Sequence, residues 1–157
     1  MNISRKAEYA IRAMVDLAIN YEQQPIMSKD IAKRQDIPQK FLVQIIPSLK
    51  SSGLVCAIRG AGGGIYLGKR PDEINIRQII EAIEGPIALN HCLIGATGCH
   101  RKPTCPIHRT WQSAQDKMLS VLESTTLSRV TDLTKKEQRR QPVDNIGKIG
   151  NEIEVEV

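Results

Sequence analysis

Three of the four cysteines and all three histidines of this chain fall between His91 and His108. The run reads Cys92, six residues, Cys99, five residues, Cys105, two residues, His108. Gly95, Gly98, Pro103 and Pro106 stand among them and prevent a regular helix or strand. A loop without an apolar core of its own gains little from thiols unless they bond to a metal, a cluster or each other. The pattern offers the four nitrogen and sulfur ligands of a tetrahedral structural zinc site. It serves equally for an iron–sulfur cluster, or for thiol-redox sensing in which two cysteines pair under oxidation. These alternatives stay open on the loop residues alone. Cys56 lies apart from them, on one face of an alternating segment with Leu54 and Ile58. The role that fits it is a small buried thiol.

The compartment bears on that choice. No run of eighteen apolar residues is present, so no transmembrane span and no membrane partner are expected. Met1 to Glu8 lack the apolar stretch of a secretion signal. A cytoplasmic location is expected, where thiols stay reduced and clustered cysteines favour metal or redox chemistry over disulfides. No Ser/His/Asp set or paired carboxylate site points to an enzyme. The match of Gly63-x-x-x-x-Gly68-Lys69 to a phosphate loop fails at Arg70, where a hydroxyl is needed, and Pro71 and Asp72 interrupt the helix that would have to follow. Those glycines instead suit a tight turn that approaches a DNA backbone closely.

The elements that must position the loop follow from periodicity. The 157 residues support one domain or a compact head with an appended element, and five aromatic residues leave its core mostly aliphatic. Ser4 caps a first helix with Ala7, Ala10, Ile11, Met14, Val15, Ala18 and Tyr21 on one face. Ser28 caps a second over roughly 28–35, with Ile31 and Ala32 inward. After a turn at Asp36-Ile-Pro38, a third carries Phe41, Leu42, Ile45, Ile46 and Leu49, is kinked by Pro47 and stops at Gly53. Residues 54–59 alternate like a strand, 60–64 turn, and 65–67 return. Two short helices and then a hairpin make a helix-turn-helix with a wing. Asn75 caps a helix with Ile76, Ile79, Ile80 and Ile83 on one side, ending at Gly85-Pro86. Beyond the loop, Thr110 to about Ser124 places Trp111, Ala114, Met118, Val121 and Leu122 on one side of a long helix. That stripe comes after a domain that already has its core, which points to packing against a second copy. Thr126 caps a last short helix through Leu133, and the polar stretch from Thr134 reads as a flexible tail.

Charge divides the same way. Residues 1–70 hold eleven Lys/Arg against five Asp/Glu, whereas residues 71–157 hold eleven against twelve. The basic excess sits wholly in the winged half, where it suits an anionic partner such as nucleic acid.

These residues resemble the cluster-sensing winged-helix regulators typified by the regulator of iron–sulfur cluster assembly and a related nitric-oxide-sensing repressor. The resemblance covers roughly residues 1–133. It rests on Lys6-Ala-Glu-Tyr-Ala10, Asp30-Ile-Ala32, Gly53-Leu-Val55, Arg59-Gly60 with Gly62-Gly-Gly64, Leu67-Gly-Lys69, and three cysteines before a long helix. It implies a mainly α fold: a winged helix-turn-helix head with a small β-hairpin wing, and a long C-terminal dimerisation helix. In segments, 1–85 would be the DNA-binding domain and 86–109 the cluster loop. Residues 110–133 would dimerise, and 134–157 would trail as the tail. The implied function is control of transcription by a homodimer on a double-stranded DNA operator, gated by a cluster that senses iron, redox state or nitric oxide.

By that resemblance Cys92, Cys99 and Cys105 are the cluster thiolates. In the cluster-assembly regulator both cysteine gaps are five residues, so this loop is one residue longer. His108 stands at that regulator's histidine and implies a 2Fe–2S cluster. Glu8 stands where the nitric-oxide sensor has an acidic residue donated across the dimer, so Glu8 of the partner subunit would imply 4Fe–4S. His108 is preferred because it is local and imidazole suits the site. A zinc- or thiol-based regulator, or a small electron carrier, are the alternatives; the helix-turn-helix head has no use in the carrier. On the DNA side, the third helix would enter the major groove, with Gln39, Lys40 and Gln44 at base edges. Ser28 suits a phosphate, and Arg59 with Gly60 at the wing suits the backbone or a minor groove. Val43 replaces an acidic residue that biases target choice in the cluster-assembly regulator, and suits a thymine methyl or packing.

Overall fold

Ser4 opens α1 (Arg5–Ile19) by accepting the Ala7 amide on its hydroxyl at 3.2 Å. The computed structural model describes residues 3–94 and 101–140, with side chains as far as residue 137. Ala10, Ala13, Met14 and Leu17 turn inward from α1, their alanines allowing close helix approach, while Ile11 and Val15 sit at the core margin. The expected stripe was therefore rotated slightly: Ala13 and Leu17 belong to it, and Tyr21 lies outside α1, in an exposed 3₁₀ turn.

Next come α2 (Ser28–Gln35) and α3 (Gln39–Ser51), joined through Asp36 in the left-handed region (φ 49°). Ile31 of α2, Ile37 of the turn, and Leu42, Ile45 and Leu49 of α3 join the α1 residues in one buried core. Ser28 does not cap α2. Met27 holds the cap position, its carbonyl accepting the Asp30 and Ile31 amides, so Ser28 is the first helical residue. α3 runs through Pro47 as one element.

A charged side chain fixes the angle of α2. Asp16, 2% exposed on α1, accepts two bonds from Arg34, at 2.9 Å from Nε and 2.6 Å from Nη2, and a third from Gln35 at 3.1 Å. The carboxylate holds the Arg34 guanidinium above its ordinary value, chiefly through these bonds. A buried carboxylate satisfied this fully costs little, but loss of a partner strands it.

The wing is β1 (Val55–Ile58) antiparallel to β2 (Gly64–Leu67), with Val55 opposite Leu67 and Ile58 opposite Gly64. Ile26 bridges to Ile65 through bonds of 2.9 and 2.8 Å, so the wing is sewn to the strand-like entry of α2. Gly64 is obligatory there, since a Cβ would lie 2.7 Å from the Ile26 carbonyl. Gln24 adds a clamp: its Nε2 donates to the Leu17 carbonyl and its Oε1 accepts the Leu67 amide, both at 2.8 Å. Cys56 is not the buried thiol expected. It is half-buried and faces Tyr66, whose hydroxyl is pushed above its ordinary value first by the Cys56 side chain. The outer end of β1 lifts away from the core, leaving Ile58 exposed.

Asn75 and Gln78 form a reciprocal capping box that starts α4 (Ile76–Glu84), with Gly85 at its end. Past 3₁₀ turns at His91–Leu93 and Lys102–Thr104 comes α5 (His108–Ser124). It begins inside the segment expected as loop, so His108 is a helical residue. α6 (Leu127–Arg140) runs beyond the expected end at Leu133, which corrects the tail reading for 134–140; residues 141–157 lie outside the described residues. α6 also returns to the head. Leu127 is fully buried in the head core, α6 packs on α1, and the Leu127 and Ser128 amides donate to Ile74 and Pro71. The architecture is mainly α with one antiparallel hairpin, a winged helix-turn-helix head. Among the described residues no helix is long and apolar enough to cross a membrane.

Candidate nucleic-acid interface and metal centre

On α3 the inward residues leave a complementary outer face: Gln39, Lys40, Val43, Gln44 and Pro47 are all exposed. Burial of Leu42, Ile45 and Leu49 thus fixes the direction in which the polar residues look. Tyr9 meets Phe41 edge-on, with ring centroids 5.0 Å apart, and ties the first turn of α3 to α1. Lys40 Nζ lies 5.7 Å from the Phe41 ring centroid, which leans the ammonium along the helix while it stays exposed. Gln39 Nε2 donates to Ser28 Oγ at 3.2 Å, joining the starts of α2 and α3. Ser28 therefore sits beside the outer face of α3 with its hydroxyl engaged by Gln39.

Arg59 and Gly60 are exposed at the wing turn, and Gly60 holds φ at 104°. Between α3 and the wing opens a cavity of about 580 Å³ lined by Met27, Ser28, Gln39, Val43 and Ile58 among others. Its mouth is apolar: Val43 is 65% and Ile58 53% exposed. Of the six residues expected to touch DNA, Ser28 and Gln39 line this apolar notch, which opens between α3, carrying Lys40 and Gln44, and the hairpin that carries Arg59 and Gly60 at its turn.

The cysteine loop is only partly in view. Cys92 lies in the His91–Leu93 turn and Cys105 just after the Lys102–Thr104 turn; both thiols are free and half-buried. Cys99 lies outside the described residues. Among the described residues no three His, Cys, Asp or Glu side chains converge as a metal group. His108 is the informative member. Its Nδ1 is buried and has no hydrogen-bond partner, an isolated case among the described residues. A buried ring nitrogen left unbonded costs about 1–3 kcal/mol, which a ligand would relieve. The donor chemistry therefore fits a metal or cluster. Glu8 is exposed in the first turn of α1.

Of the expected dimer stripe on α5, Trp111, Ala114 and Val121 are exposed, and Met118 and Leu122 are half-buried. The helix buries a single residue, Gln115, whose Oε1 accepts the Leu89 amide at 3.0 Å. Arg77 reaches from α4 to Glu123 at 3.3 Å. Sequence reasoning missed Asp16, Gln24 and Gln115. A carboxylate amid the apolar face of α1 was a signal for the first. Nothing in their spacing singled out the two glutamines.

Comparison with known proteins agrees with this geometry. The family model Rrf2, described as an iron-dependent transcriptional regulator, matches residues 3–133. The HTH-type transcriptional regulator IscR of Cronobacter sakazakii is 33% identical over 132 residues, covering 84% of this chain and 81% of the relative. That of Aliivibrio salmonicida is 34% identical over 127 residues, covering 81% and 75%. Among solved structures, the global cysteine regulator CymR of B. subtilis superposes with a TM-score of 0.70 at 33% identity, covering 85% of this chain and 98% of CymR. IscR of T. potens has a TM-score of 0.70 at 28% identity, covering 92% and 94%.

Proposed function

Because the chain belongs to the Rrf2 family of transcriptional regulators, we propose that it acts in the cytoplasm as a homodimer whose hold on an operator is set by an iron–sulfur cluster. As a member of that family it is a DNA-binding regulator and not an enzyme. The cluster would be held by Cys92, Cys99, Cys105 and His108, the 2Fe–2S form being favoured by the local imidazole. One observation carries this: the buried, unpartnered Nδ1 of His108 at the start of α5. Bound there, a cluster supplies iron that reacts to oxidants, to nitric oxide and to iron supply.

The chain's own residues do the rest. Cys92 and Cys105 bring the two sides of the loop to the helix that starts at His108. α3 enters the major groove, where Gln39, Lys40 and Gln44 meet base edges and Val43 suits a thymine methyl. Ser28 lies at the phosphate side, and Arg59 with Gly60 follows the wing to the backbone or the minor groove. Two heads joined through α5 would meet half-sites roughly 34 Å apart. A change in the loop alters α5, and α5 is linked to the head by Arg77–Glu123 and by the strand-like pairing of Asn75 with Thr126. Gating then requires two head arrangements with different DNA affinity.

The test is anaerobic purification, with an absorption spectrum and assays for iron and acid-labile sulfide. A titration follows against a duplex selected from a random library, before and after cluster removal. Brown protein whose affinity changes on removal is expected. Replacing Cys92, Cys99 or Cys105 by Ala should abolish the cluster, and Cys56→Ala should retain it. Colourless protein with stoichiometric zinc overturns the cluster. Equal affinity in both forms overturns the gating but leaves the DNA interface standing.

A further inference from the structure

A glutamine is an unusual choice for the sole buried position of a helix. Gln115 is 8% exposed, while the apolar residues on either side of it along α5 are more open to solvent. Packing alone would favour Leu or Met there, because an amide brought out of water needs partners. The partner is the Leu89 amide, donated to Oε1 at 3.0 Å across 26 positions of sequence. Leu89 stands three residues before Cys92 and two after Ile87, which is itself buried. The His91–Leu93 turn packs on α5 as well.

His108 and Gln115 are seven residues apart on α5, two turns of one helix, and so share a face. Their separation along the axis is about 10 Å. Three residues of chain reach at most about 10 Å, so an anchor at Leu89 keeps Cys92 within range of the face that carries His108. Released from Gln115, the loop entry would be held by Ile87, further back.

We infer that Gln115 is a positioning residue for the metal centre: by holding Leu89 it sets the Cys92 arm of the loop against the helix that supplies His108. The inference rests on the cluster reading and adds a residue to it. It also makes α5 a direct recipient of any pull on Cys92, because the pull arrives through one hydrogen bond two turns into the helix.

Two substitutions separate positioning from packing. Gln115→Met keeps length and helix preference and removes the acceptor. Gln115→Glu keeps an oxygen that can accept the Leu89 amide. Full-length protein is reconstituted anaerobically, and cluster loss to an iron chelator is followed by absorbance, alongside thermal unfolding of the cluster-free forms. Gln115→Met should lose the cluster about 10- to 100-fold faster than wild type, the usual effect of removing an outer partner of a metal ligand. Its cluster-free melting temperature should stay near wild type, and Gln115→Glu should restore slow release. Wild-type release from Gln115→Met, or equal acceleration in both variants, overturns the assignment. Should wild type carry zinc, the cluster reading falls, and zinc release to a chromogenic chelator reads the same comparison. Wild-type protein that takes up neither metal overturns both.

Discussion

In the head, α1 and α3 bring Ala10, Met14, Leu42, Ile45 and Leu49 to 0% exposure, whereas α5, longer than either, buries Gln115 alone. Both regions carry apolar residues at helical spacing. The difference lies in what faces them. The inward residues of the head form one buried cluster that includes residues of the wing, α4 and α6, so that core closes within one chain. The stripe of Trp111, Val121 and their neighbours meets little of its own chain. A helix with one exposed apolar side gains burial only by pairing, and a second copy of the same helix supplies a self-complementary face. On the proposed dimer, the head closes its own core and the α5 segment relies on a second copy. That division suits a regulator in which the reading surface stays constant while its placement varies.

The sharpest way to break this contrast is a truncation on each side. Leu42→Ala removes fully buried side-chain volume and should cost about 2–5 kcal/mol of unfolding free energy. Val121→Ala, on the exposed stripe, should change the stability of a dilute monomer by no more than about 0.5 kcal/mol. Denaturant melts that give similar losses for both would show that α5 belongs to the same core. Next in size, Met118→Glu places a charge in the α5 pairing face. It should weaken association by about 3 kcal/mol, roughly a hundredfold, with far-ultraviolet dichroism unchanged. An unaltered dimer in sedimentation would put the interface elsewhere. The smallest effects should come from the reading surface itself. Gln44→Ala should reduce discrimination between sites by about 1–3 kcal/mol at one base pair. Arg59→Ala should weaken every duplex alike and lower the salt slope by about one. If both leave all affinities untouched, the outer face of α3 and the wing are not where DNA binds.

Much of the fold was legible because its signals are local. Ser4, Asn75 and Gly53 punctuate helices by their own hydrogen bonding or φ, and Leu42, Ile45 and Leu49 repeat at helical spacing. The hairpin was readable from its glycines. What escaped depends on residues distant in sequence. Ser28 looked like a cap, but the Met27 carbonyl already serves the first amides and Gln39 takes the hydroxyl. Cys56 looked buried by alternation, but the wing tips outward beyond Val55, an angle set by Ile26 and Gln24. The stretch past Leu133 reads as a polar, flexible tail, yet α6 continues to Arg140 from an anchor, Leu127, buried in the head core. For the candidate site, the sequence carries an inventory of candidate ligands and DNA-contacting residues without their arrangement. Its supports, Asp16 and Gln115, act across tens of residues and leave no pattern of spacing.

The return of the chain to the head has a consequence for how the loop can vary. Ile76 donates to the Thr125 carbonyl at 3.0 Å and Leu127 to the Ile74 carbonyl at 2.8 Å, so the chain re-enters the head beside the start of α4. The cysteines and α5 lie between α4, which packs in the head, and this re-entry, so they form a side-loop rooted in the head at both ends. An added residue in such a loop changes its closure entropy by a small fraction of a kcal/mol. The one residue by which the first cysteine gap exceeds five therefore adds little to the cost of closing the side-loop. For the same reason, a protease cut between Gly95 and Arg101 should leave two fragments that travel as one particle. The C-terminal piece would stay docked through Leu127, and the nicked protein should keep its affinity for nonspecific DNA after its peptide bond is gone.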